Sequence, residues 1–600
     1  MSPNRRETDL SNPLLSMSDD ESDIEDMISS ETTKKTKKKK IAAIIIMLIV
    51  FLAFLGGIIY YFFSKKAGVS TIEQTGEVEV QGGVVRGQFE SGVVAFKGIP
   101  YAKPPVKDLR WKPSVLCEIN TCWNGTLDAT KFGSMCFQQD VTNIQDPTKL
   151  IGSEDCLFIN VWTPKQRSKT LLPVLVYIHG GYLLYFSGNW KGLHPTPEMV
   201  LGLDIVGVSF NYRLNAFGFL ALKSLADASS TKTAGNYGFM DQILALKWVQ
   251  RNIEKFGGDP ASVTLIGQSS GGTSELALLA SPSAAGLFHG AIVMSASPVF
   301  NKSSEDAAID NEIFVKHSKC ERNSSADERE CLYSLTPKQV EDAIPWDVYP
   351  YWRMADLMDL PTKNHFDGAV AVVDKTIVAQ PPLVAMESRK ANDVPLIIGT
   401  TAQEINISPV KTFGNSAFRD YKDHVEEKLR PFLGNDVDEV LSMYNDSLAE
   451  SGSLQFAFSS MVSDLRETCP TNVLALNASK GFKSPVYRYL ITNSPSAPIN
   501  VFGYPASLAC HIWDQVAFFG FPAELKYTPS EKDKRFMKDL RRQFGGFIHK
   551  GTVNDKSWKR YPESTALFTN DGVTVIKEDY HKRECDFWIK NGFFSYGWIN

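Results

Sequence analysis

Apolar positions along this chain fall into three kinds of run. The first is one unbroken stretch, Ile41 to Phe63, of 23 residues without a charge. At a helical rise of about 1.5 Å per residue it exceeds a hydrocarbon core of about 30 Å, so it predicts a transmembrane helix. The aromatic cluster Tyr60-Tyr61-Phe62-Phe63 suits the membrane–water boundary at its end. The second kind is short and β-rich: PVLVYI (173–178), DIVGVSFN (204–211) and VTLI (263–266). Such runs suit parallel strands covered on both faces. The third kind is helical. Leu244, Leu246, Val249 and Ile253 recur at helical spacing between Asp241 and Phe256, until Gly257-Gly258-Asp259-Pro260 stops them. Val78-Glu79-Val80 and the run 83–87 predict a hairpin. From Glu77 onward strands and helices alternate without repeats. At this size, alternation predicts an α/β fold, a mostly parallel central sheet flanked by helices.

Charge orients the predicted span. Six lysines (Lys34, Lys35 and Lys37 to Lys40) precede it, and only Lys65 and Lys66 follow closely. The positive-inside bias therefore puts residues 1–40 in the cytosol and the C-terminal bulk outside. A cleaved signal peptide has a shorter apolar core and no polar stretch of this length before it. The organisation expected is a polar, disordered cytoplasmic tail (1–40), a signal-anchor helix (41–63), a short stalk (64–75) and one large body (76–600). The acidic run around Ser18 and Ser22 and the pair Leu14-Leu15 read as parts of a solvated tail.

Composition adds the compartment. The net charge of −5 is too small and of the wrong sign to suggest nucleic acid. Nine cysteines and the sequons at Asn124, Asn301, Asn323, Asn406, Asn445 and Asn477 all suit a secretory lumen or the cell exterior. The cysteine spacings do not match zinc ligation.

Candidate chemistry centres on VTLIGQSSGG (263–272), a strand-like run entering a G-x-S-x-G that a helix-compatible sequence follows. This is the pattern of a nucleophile elbow, which lifts Ser269 Oγ clear of a sheet edge. A bare G-x-S-x-G arises by chance in a chain this long roughly one time in five, so its neighbours must carry the case. They do: GIPYAKPPVKDLRW (98–111), SEDCLFINVWTP (153–164), NYRLNAFGFLA (211–221) and the whole of 235–272 resemble the type-B carboxylesterases. That family includes cholinesterases, juvenile-hormone esterases and liver carboxylesterases. The resemblance runs from about residue 76 to the C-terminus. It implies one α/β-hydrolase domain that needs no cofactor and no metal and acts on a small ester.

A serine hydroxyl needs a base in contact and an acid to orient that base. In this fold the chain order is serine, acid, histidine. Order alone admits His424, His511, His549 and His581 after Glu404. The resemblance singles out Glu404 in PLIIGTTAQE and His511 in ACHIWDQVAFFG, with Asp514 nearby. It also implies an oxyanion hole from the N–H groups of Gly181, Tyr182 and Ser270. Tyr182 stands where the family has a third glycine, and a tyrosine does not easily reach positive φ. Ile405 and Ile512 also replace glycines, and Gln268 replaces a glutamate. The segment between Cys136 and Cys156 has no tryptophan, which argues against a choline ester.

The resemblance further implies the bridges Cys136–Cys156, Cys320–Cys331 and Cys469–Cys585, and a structural ion pair between Arg110 and Glu154. Cys117 and Cys122 are spaced for a fourth, local bridge. Cys510 is left over as a small buried hydrophobe. Two functions follow from the resemblance. One is a membrane-anchored serine carboxylesterase working through an acyl-enzyme. The other is a non-catalytic adhesion or receptor ectodomain of the neurotactin or neuroligin kind, acting as a homodimer or on a cell-surface protein partner.

Overall fold

A computed structural model describes residues 76–600, apart from 143–145, 147, 167–169, 191, 347–356, 363–369, 408–410, 414–415, 502, 521–524 and 599–600. The predicted tail, span and stalk lie outside the described residues. Among the described residues no helix is long and apolar enough to cross a membrane.

The body is organised on one eleven-stranded sheet. Its strands are β1 (Gln88–Glu90), β2 (Val93–Pro100), β3 (Phe158–Pro164), β4 (Leu172–Ile178), β5 (Val206–Phe210), β6 (Gly258–Gln268), β7 (Gly290–Met294), β8 (Leu396–Thr401), β9 (Val486–Ile491), β10 (Thr565–Thr569) and β11 (Gly572–Ile576). They lie in the order β11-β10-β9-β8-β7-β6-β4-β5-β3-β2-β1. The run from β10 to β5 is parallel; β11 at one edge and β3, β2 and β1 at the other are antiparallel. The predicted hairpin forms as an antiparallel pair, Glu77–Val80 with Gly83–Arg86.

The central strands are apolar throughout because both faces are covered. On β4, Val174, Val176 and Ile178 enter one core while Leu175 and Tyr177 enter the other. The first core is completed by helices α1 (Tyr237–Asn252) and α2 (Ser270–Leu279). The second takes side chains from α3 (Leu454–Ser463), α5 (Trp513–Phe519), α6 (Glu531–Lys550) and α7 (Lys582–Lys590). Between α3 and α4 (Cys469–Gly481) the helix widens to a π-turn over Asp464–Thr468. The helix predicted at 241–256 starts earlier, at Tyr237, because left-handed Asn236 (φ 56°) is what begins it.

All four expected cysteine pairings form: Cys117–Cys122, Cys136–Cys156, Cys320–Cys331 and Cys469–Cys585. Cys510 is free and buried. Arg110 grips Glu154 with two parallel N–H···O bonds of 2.6 and 2.7 Å.

Candidate active site

The parallel strands all end on one side of the sheet, and loops leaving such carboxyl ends are where open α/β folds build sites. β6 delivers Ser269 there. The residue has φ 60° and ψ −130°, a conformation that costs on the order of 1–3 kcal/mol for a side-chain-bearing residue. Its N–H donates to Met294 O at 2.9 Å, and Thr273 N–H donates to its carbonyl at 3.0 Å. The glycines around it are there for closeness. A Cβ on Gly271 would lie 2.2 Å from Ile178 O, and one on Gly267 would lie 2.5 Å from the backbone of Gly271. So α2 can pack directly against the end of β4, with Ser269 at its N-terminus.

The loop after β4 sets the second wall. Gly180 lies so close to β6 that a Cβ would meet Gln268 O at 2.5 Å. Gly181 (φ 108°) accepts hydrogen bonds from Leu184 and Tyr185 N–H, both at 2.9 Å, which closes a tight turn. Tyr182 and Leu183 inside that turn both have φ 60°. The expectation that a tyrosine would resist positive φ is thus corrected: the two bonds to Gly181, and a third from Leu183 N–H to Ser270 Oγ at 3.1 Å, offset about 1–2 kcal/mol of strain per residue. Among the described residues, no hydrogen bond uses the N–H of Gly181, Tyr182 or Ser270. Three unspent donors beside a serine are what a developing oxyanion needs. His179, which precedes the turn, is stacked on Tyr212 and pushed down to about 4 by burial, so it stays neutral.

The third wall comes from distant segments. Glu404, fully buried, follows β8, and His511 precedes α5. His511 Nδ1 lies 2.5 Å from Glu404 Oε2. A carboxylate only accepts, so this contact calls for the proton on Nδ1, the tautomer that leaves the ring's lone pair on Nε2. That Nε2 is buried and makes no hydrogen bond. Among the described residues Ser269 Oγ makes none either, so His511 and the Ser269 hydroxyl stand unjoined here; such contacts tighten on substrate binding. The other oxygen of Glu404 accepts from Ser295 Oγ at 2.7 Å and Thr401 N–H at 2.6 Å. Ser295 directly follows Met294, the acceptor of Ser269 N–H, so elbow and acid share one strand end.

The other three histidines have different partners. His424 meets Asp359 at 2.9 Å, His549 meets Leu203 O at 2.7 Å, and His581 meets Asp464 at 2.6 Å. Burial, helped by the Glu404 carboxylate, pushes the Cys510 thiol far up, so it is no thiolate near neutral pH. Burial also pushes Asp514 up to about 6, where it accepts from Tyr489 OH and Gln515 N–H. Ile512, where the family has glycine, sits at φ 74°, and Ile405 is fully buried. Gln268 Nε2 is buried without a partner.

Burial first, and the Glu404 carboxylate after it, raise the phenol of the half-buried Tyr182 well above its usual range. Sequence reading missed Glu467, a buried carboxyl on the π-turn held protonated by burial and by Glu404. It also missed Ser295. A serine leaving a buried strand beside the elbow was a usable signal for Ser295; Glu467 had none. Among the sequons, Asn406 is buried, its amide spent on Ser507 and Leu508 N–H and facing Tyr504 OH, so it offers no place for a sugar. Asn124, Asn301, Asn323 and Asn445 are exposed, and Asn477 is half-buried within α4.

Comparison with known proteins bears on the family and the fold. The chain is 31% identical to Drosophila melanogaster neurotactin over 526 residues, 84% of this chain and 55% of neurotactin. It is 38% identical to the para-nitrobenzyl esterase of Bacillus subtilis over 331 residues, 54% of this chain and 62% of that enzyme. The chain thus spans little more than half of each of these two relatives. A solved PNB esterase superposes with a TM-score of 0.67 at 28% identity, over 85% of this chain and 99% of that one. The fold is that of an α/β-hydrolase carboxylesterase. The model of the carboxylesterase family matches residues 74–588, and the chain belongs to that family.

Proposed function

We propose that this protein is a serine carboxylic ester hydrolase, held at a membrane through residues 41–63 with its body extracellular or lumenal. The observation that carries the reading is the buried Glu404–His511 contact with an unspent Nε2, on the same strand ends as a strained elbow serine. In this reading Ser269 Oγ attacks the ester carbonyl and its proton passes to Nε2 of His511. Glu404 stabilises the imidazolium that results. The N–H groups of Gly181, Tyr182 and Ser270 receive the oxyanion. The intermediate collapses, the alcohol leaves with the proton from His511, and an acyl-enzyme remains. Water, deprotonated by the same nitrogen, then releases the acid.

A second reading has its own support. The similarity to neurotactin, together with Tyr182 in the oxyanion turn, favours a cell-surface ectodomain that acts by contact. A fluorophosphonate probe separates the two. Covalent labelling of the intact chain in membranes, abolished by Ser269→Ala, is the outcome expected of the hydrolase. A folded chain that neither labels nor cleaves short-chain esters would leave the contact role standing.

A further inference from the structure

The segment after α7 folds back into the body. Phe593–Tyr596 makes one short 3-10 turn. Trp598 then comes to rest, 4% exposed, with its indole 4.8 Å from the His511 imidazole and at 82° to it. Three hydrogen bonds hold the segment there. Trp598 N–H donates to Arg466 O at 2.8 Å, its indole N–H donates to Leu357 O at 2.9 Å, and the Arg466 guanidinium donates to Tyr596 O at 2.9 Å. The same guanidinium grips Asp359 O through two further bonds of 3.1 and 3.0 Å. Gly597 passes a tight gap, where a Cβ would lie 3.1 Å from Val299 and 3.2 Å from Pro470 and its neighbours would have to give by a few tenths of an ångström.

Arg466 owes its place to the π-turn. A widened turn shifts the helical phase, and such turns recur at functional sites. Here Arg466 reaches the returning segment while its neighbour Glu467 feels the Glu404 carboxylate. One turn of chain therefore stands behind both the acid and the ring that packs on the base.

We propose that Trp598 is a positioning residue for His511, and that Arg466 is the latch that keeps it in place. The inference rests on the serine-hydrolase reading. One hydrogen bond, donated by Nδ1–H to Glu404, fixes that nitrogen but leaves the imidazole free to swing about the bond. A perpendicular indole against the ring removes the swing and excludes water from that side. The base must serve the serine hydroxyl, the leaving alcohol and the attacking water in turn, so its orientation is worth rate rather than substrate affinity.

The test uses the full chain with Trp598→Ala, Trp598→Phe and Trp598→Leu, each checked for a cooperative thermal transition. Loss of the ring is expected to slow fluorophosphonate labelling about 10- to 100-fold, in kcat far more than in KM. Diethyl pyrocarbonate, read by mass spectrometry at His511 with exposed His317 as reference, reports the contact without catalysis. His511 is expected to be modified several-fold faster in the Ala and Leu variants, while Phe restores both readouts. If wild type labels but a folded Leu variant labels equally fast and leaves His511 equally protected, the positioning role is overturned. If wild type does not label at all, the hydrolase reading falls and takes the positioning role with it.

Discussion

On the serine side, what shapes the site lies within a few residues of the ends of β4, β6 and β7. Strain at Ser269, close approach at Gly271 and the turn from Gly181 to Tyr185 are backbone features, held by backbone bonds. On the histidine side the parts are side chains: Ser295, Glu404, Glu467, His511, Asp514 and Trp598, drawn from loops and helices spread between residues 295 and 598. The difference teaches where each half is vulnerable. A backbone site fails when a Cβ is added. A side-chain site fails when charge, tautomer or packing changes, even with the fold intact.

The largest expected effect tests that contrast directly. Glu404→Gln keeps shape but presents an amide to Nδ1, so labelling by a fluorophosphonate is expected to fall about 10³- to 10⁴-fold. The thermal midpoint should move by a few degrees at most. A loss under tenfold would mean that the serine side works alone. Next comes the tie that holds α7 to the start of α4. Replacing Cys469 and Cys585 by serine opens a link of 116 positions and is expected to cost about 4–5 kcal/mol in urea unfolding. Labelling should be lost at lower urea than the global transition, because the returning segment beside His511 depends on that tie.

Asp514 sharpens the electrostatic side. It holds its proton up to about 6 when folded but ionises near 3.8 in a model peptide, first because it is buried and then because of Glu404. The folded state therefore binds the extra proton between those values, and stability falls as pH rises from about 3.8 to 6, then stays lower. Asp514→Asn should match wild type near pH 4 and exceed it at pH 7 by up to about 3 kcal/mol. A gain independent of pH would assign the effect to packing. The smallest effect belongs to the serine side. Tyr182→Gly should raise kcat/KM on bulky acyl esters by about tenfold, or 1.4 kcal/mol, with small esters changing little. An equal change on both would place the limitation in the oxyanion donors instead of the pocket.

How much of this was legible follows the same divide. The two cores were readable from β4, because side chains alternate faces and PVLVYI is apolar on both. The elbow was readable from its glycines, since its demands are local. Tyr182 misled: intrinsic preference disfavours positive φ, and only the turn closed on Gly181 reveals what offsets it. Chain order left four histidines open after Glu404. Their partners in space, Asp359, Leu203 and Asp464 for three of them and Glu404 for His511, separate them.

By itself the sequence determined an α/β sheet covered on both faces, the elbow at Ser269, and a resemblance strong enough to point to Glu404 and His511. Tertiary structure alone decided that Ser295 donates to Glu404, that burial and Glu404 raise the Glu467 carboxyl, and that Trp598 packs on His511. The physical reason is range. Periodicity, turn chemistry and close backbone approach act between near neighbours and leave a mark in sequence. A contact between residues 511 and 598 forms only once the sheet, the π-turn and the α7 tie have brought the two rings to 4.8 Å.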